Sequence, residues 1–145
     1  MATEMECFVA ADEGASRADY EAFMKTDIRF PRHFQTKGSH LWRVFDQHRN
    51  PDDHVENIKG DASELLGLYS LMRHFVELRF QDAPHELAAE RASFNACCNV
   101  VDTIMAMKQG VIDCKSVAGC RALEDAIFEH LRRHIATYGL SLIHI

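Results

Sequence analysis

The residues best placed to do chemistry are His130 and His134, in the run His130-Leu-Arg-Arg-His134. Two imidazoles four positions apart share one face of a helix and can chelate a metal ion, and Cys114 and Cys120 lie upstream as candidate soft ligands. Taken together, Cys-x5-Cys-x9-His-x3-His departs from the common zinc spacings, and the slot after His130, where a metalloprotease helix carries its glutamate, holds Leu131. Glu129 precedes His130 instead. The competing reading places both histidines beside an apolar stripe, reaching solvent near a helix C-terminus where their positive form is favoured. That reading is preferred, so no metal or other cofactor is assigned; Cys114, Cys120, His130 and His134 are the ligands only if the metal reading holds.

A second constellation spans Arg29 to Arg49. It holds the basic residues Arg29, Arg32, Lys37, Arg43 and Arg49, the rings Phe30, Phe34, Trp42 and Phe45, and a single acid, Asp46. Cations interleaved with rings can grip a nucleic-acid strand by phosphate attraction and base stacking, which makes Arg29, Arg32, Lys37, Trp42, Arg43 and Arg49 candidate contacts. Against this, the chain carries a formal net charge of −6, and Trp42 and Phe45 sit at helical spacing with Leu41. Core aromatics beneath a solvated basic face account for the same letters.

Cys97-Cys98 is adjacent and so projects its thiols about 100° apart on a helix, which suits small core fillers better than a redox pair. Acids are scattered: Asp61, Glu64, Glu77, Asp102, Glu124, Asp125 and Glu129 fall on or beside predicted helices. Glu77 and Asp102 flank apolar faces, and an ion pair to Arg73 or Arg79 explains such a position without catalysis. No catalytic residue is assigned, and an enzyme is the less favoured reading.

Three long amphipathic segments must carry these groups. The first follows Lys59-Gly60, with Asp61 and Glu64 spaced as a capping box, and repeats Leu65, Leu68, Tyr69, Met72, Phe75 and Val76 on one face. Leu66, Leu71, Leu78 and Phe80 widen that face. The second starts at Pro84, carries Leu87, Phe94, Cys97, Cys98, Val101, Ile104 and Met105, and ends near Lys108 and Gly110. The third is capped by Asp113 or Ser116, with Cys120, Leu123, Ile127, Leu131, Ile135 and Tyr138 as its stripe before Gly139. Connections this short predict antiparallel neighbours.

The fold class that follows is all-α: a three-helix antiparallel bundle over 61–139 and a less regular N-terminal arm over 1–60. In the arm, Ser16 with Asp19 caps a short helix bearing Tyr20, Phe23 and Met24, and Ser39 starts another before Asn50-Pro51. At 145 residues the chain suffices for one hydrophobic core burying roughly two thirds of its unfolded surface. Five cysteines, an odd number and mostly beside apolar residues, predict buried free thiols in a reducing compartment. The acidic N-terminus does not read as a secretory signal and no run is apolar enough to span a membrane, so the expected location is intracellular, cytoplasmic or nuclear.

The runs Lys59-Gly-Asp-Ala-Ser-Glu-Leu-Leu-Gly-Leu-Tyr69, Met72-Arg-His-Phe-Val-Glu77, Ser93-Phe-Asn-Ala-Cys-Cys98 with Val101-Asp102, and His130 to Gly139 resemble the helical region of transposon-derived open reading frames of protists. They are also similar to the all-helical accessory domain that follows the catalytic core in CACTA-type plant transposases. The resemblance covers roughly residues 39–139 and carries no catalytic acid across. It implies an accessory or interaction segment of a mobile-element protein, partnered by another protein or the remainder of a longer chain, with possible nucleic-acid association. The tail Leu140-Ser-Leu-Ile-His-Ile145 matches the in-frame translation of a sequencing-library adapter, so the expectation is that 140–145 are non-native and the gene continues beyond Gly139.

Overall fold

The computed structural model describes residues 4, 7, 8, 11, 15–26, 62–82 and 85–139. Four helices run through them: α1 (Ala15–Thr26), α2 (Ala62–Arg79), α3 (Ala88–Lys108) and α4 (Val117–Tyr138). No strand occurs among the described residues, and the fold is all-α. The chain divides into two compact units, 1–84 and 85–145. Of the three long helices, α2 groups with α1, while α3 and α4 pair with each other.

In the first unit, α1 lays Tyr20, Phe23 and Met24 against α2, which buries Leu68, Met72, Phe75 and Val76; Phe80, just beyond α2, is buried too. The interior is aromatic. Tyr20 meets Phe75 edge-on at 5.3 Å, Phe23 lies 5.6 Å from Phe75 and 6.0 Å from the His74 ring, and Phe8 meets Phe80 edge-on at 5.6 Å. Such pairs add about 0.5–1.5 kcal/mol each beyond the area they remove from water. The Arg79 guanidinium closes the rim, with Nε 2.9 Å from Asp19 Oδ2 and its carbon 5.3 Å from the Phe80 ring centre.

Several expectations for this unit change in detail. Ser16 lies inside α1 and not ahead of it, because the helix begins at Ala15. Leu66 and Leu78 do not widen the buried face of α2; both are close to half exposed, since the core is already filled by the Leu68, Met72, Phe75 and Val76 stripe. The expected Asp61–Glu64 capping box and the second short helix of the arm lie outside what the described side chains cover.

In the second unit, α3 and α4 form an antiparallel hairpin, its open end marked by Thr137 Oγ1 donating to the Ala89 carbonyl at 3.4 Å. The start of α3 is later than Pro84 predicts. Leu87 adopts a left-handed conformation, φ 45° and ψ 37°, immediately before Ala88, so the regular helix opens only there. The other end is as read: Gly110 takes φ 75°, its amide donates to Met107 and the Val111 amide to Ala106, so the backbone satisfies the last carbonyls of α3 through a left-handed glycine.

Candidate functional site

Cys114, Cys120, His130 and His134 sit on or just before α4, so its start fixes their positions. Asp113 Oδ1 accepts from the Lys115 amide at 2.9 Å, and the Ser116 hydroxyl donates to the Asp113 carbonyl at 2.8 Å. The same Ser116 Oγ then accepts from the Gly119 amide at 2.9 Å and caps the helix. Of the two capping candidates, Ser116 is the N-cap and Asp113 shapes the turn ahead of it. Gly119 is buried because the loop folds back over it: a Cβ there would stand 2.0 Å from the Asp113 carbonyl oxygen.

Cys114 and Cys120 are both exposed, contrary to the expectation of buried thiols, because they lie on the outer side of this loop-to-helix junction. Cys120 Sγ approaches the Cys114 carbonyl oxygen at 3.5 Å. Cys97 and Cys98 are buried in α3 as the sequence suggests, beside Ser93, Phe94 and Ala96, while Cys7 is half-buried.

His130, His134 and Tyr138 follow one another along α4, with ring centres 5.8 and 5.0 Å apart and ring planes tilted by 60° and 54° at successive steps. His134 does not reach solvent. It is 6% exposed and, apart from Gly119, is the buried residue of α4, on a helix that packs against α3. From Cys120 to His130 the helix rises about 15 Å, so the cysteines and histidines considered as one ligand set are not brought together. No cluster of three or more histidine, cysteine or acidic side chains suited to a metal ion occurs among the described residues.

Glu129 is engaged elsewhere. Arg132 donates to both its oxygens at 2.8 to 3.0 Å, and Arg133 Nε donates to Oε1. The hydrogen bonds from Arg132, then from Arg133, hold the Glu129 carboxyl below the usual carboxylate range. Glu77, the acid singled out earlier, pairs with Arg73 at 3.4 Å, and Asp102 is exposed on α3.

Sequence reasoning missed where the apolar side chains of α4 end up. Ile127, Leu131 and Ile135 are 37–39% exposed and the adjoining Phe128 is 62% exposed, although the first three form the expected core stripe. The signal was Phe128 itself, a large ring off the stripe. The nucleic-acid candidates Arg29, Arg32, Lys37, Trp42, Arg43 and Arg49 lie outside the described residues. No helix among the described residues is long and apolar enough to cross a membrane. Family models, curated proteins and solved structures give no match to this chain.

Proposed function

We propose that the chain is a non-catalytic helical interaction module whose recognition surface is the apolar face of α4. The observation that carries this is the exposure of Ile127, Phe128, Leu131 and Ile135 on a helix that buries little besides Gly119 and His134. Residues spaced by three and four along an exposed helix are the pattern by which one amphipathic helix receives another. A helical protein segment is therefore the favoured partner, and the resemblance to accessory regions of mobile-element proteins supports the same reading.

The test is site-specific. A photo-crosslinking phenylalanine analogue placed at Phe128 in cells expressing the protein gives a discrete higher-mass adduct, and Leu131→Glu in the same chain removes it. Light-dependent adducts absent at Phe128, with helical content unchanged, would refute the module. Association with a nucleic-acid strand through the Arg29–Arg49 stretch is a second property proposed for the chain, supported by its interleaved cations and rings.

A further inference from the structure

The two exposed cysteines of the second unit lie at the junction where α3 hands over to α4. Cys120 lies in the opening turn of α4 and Cys114 in the loop before it, and the sulfur of the first lies 3.5 Å from the main-chain oxygen of the second. This approach is fixed by the fold and not left to the loop. Ser116 ties the Asp113 carbonyl to the Gly119 amide through one hydroxyl, and the Asp113 carbonyl lies so close over Gly119 that no side chain fits between them. Residue 114 is thereby laid alongside residue 120.

Disulfide formation needs the two main chains close and the Cβ atoms convergent. Cys120 Sγ already touches the Cys114 backbone, and the exposed Cys114 side chain has room to turn its sulfur toward that of Cys120. Cys97 and Cys98 differ in that their side chains diverge by about 100° on a helix and are buried.

We propose that Cys114 and Cys120 are a dithiol that closes reversibly into a disulfide by exchange with low-molecular-weight disulfides of the glutathione class. The thiolate of one cysteine attacks a sulfur of the small disulfide, whose S–S bond breaks. The departing sulfur leaves with the electron pair and takes a proton from water. The second cysteine, its proton given to solvent, attacks the protein sulfur of this mixed disulfide and expels the second small thiol. The protein dithiol is oxidised by two electrons, the small disulfide is reduced to two thiols, and protons balance. The product clasps the loop onto the first turn of α4.

The chain itself supplies the readout. Trypsin cuts after Lys108, Lys115 and Arg121, so Cys114 and Cys120 fall on the separate peptides 109–115 and 116–121. The native 145-residue chain is incubated with oxidised glutathione, alkylated, and digested without reductant. The expected result is a covalently linked pair of these peptides, with loss of both thiols to alkylation together and recovery after dithiothreitol. Cys114→Ser and Cys120→Ser, both at exposed positions, should each leave only a glutathione adduct on the remaining cysteine. Separate adducts at both positions in the unsubstituted chain, or links to Cys7, Cys97, Cys98 or a second molecule, would overturn the proposal. The link should also form faster in native protein than in urea; equal rates would assign it to sequence spacing and not to the fold, and would overturn it as well.

Discussion

Gly119 stands inside a helix, where alanine is ordinarily the better residue by nearly a kilocalorie per mole. The Asp113 carbonyl reverses that preference, because any Cβ would meet a backbone oxygen at 2.0 Å. Gly119→Ala should lower stability by about 1–3 kcal/mol, the usual range for forced overpacking, whereas Ser116→Ala should cost about 1 kcal/mol through loss of the cap. Urea denaturation of both variants measures this, and a Gly119→Ala chain as stable as the parent would contradict the geometry. Tyr20 gives a second residue-scale expectation. Burial raises its phenol far above the ordinary value near 10. A raised folded-state value leaves stability intact below pH 10 and erodes it above, because the unfolded chain ionises where the buried ring does not. Tyr20→Phe should flatten that alkaline decline in thermal melts recorded between pH 9 and about 11.

Between elements, the punctuation was easier to read than the faces. Gly110 and Gly139 close α3 and α4 with positive φ, as glycine after a lysine-tipped or tyrosine-tipped stripe suggests. Ser116 was legible as a cap. The need for glycine at 119 was not, since it arises from a carbonyl that folds back across the helix and leaves no trace in composition. Pro84 misled for a related reason: the left-handed turn at Leu87 costs a non-glycine residue about 1–2 kcal/mol and delays α3 without any sequence signal. The stripe of α4 was found, but periodicity gives a direction and not the depth of burial, so Ile127, Leu131 and Ile135 remain partly in water while His134 is covered. On the solvent side of the same helix, the Arg132 and Arg133 clamp should be visible in the carboxyl titration of Glu129 by NMR. Its folded value lies below the unfolded one, so its contribution to stability is present above the unfolded value and is lost as pH falls through the folded one. Arg132→Gln with Arg133→Gln should return the titration to the ordinary carboxylate range; an unchanged midpoint would deny the clamp an electrostatic role.

For the whole molecule, the charge balance sets expectations that no single helix does. Residues 1–60 and 61–145 each carry an excess of acid, within a net charge of −6. Any hold on nucleic acid must therefore be local to Arg29–Arg49 and must weaken steeply with salt. Fluorescence anisotropy of a labelled oligonucleotide should show binding at low salt that falls as salt rises and is lost when Arg43 and Arg49 become alanine; binding indifferent to those changes would rule out this stretch. The all-α class was legible because three stripes and their stop signals agree. The division into 1–84 and 85–145 was not, because α1 and α2 are distant in sequence and nothing in either stripe names the other as its neighbour.

The junction between α3 and α4 also bears on how the chain acquires its shape. Every bond that builds it, from the Ala106 carbonyl to the Gly119 amide, joins residues close in sequence, so closing it costs little chain entropy, whereas α1 must find α2 across a long intervening segment. The corner should therefore be assembled in the folding transition state, with the α1 and α2 pairing following. Stopped-flow refolding would register this as Ser116→Ala slowing folding and Tyr20→Phe mainly hastening unfolding. The reverse partition would mean that the distant pair nucleates first.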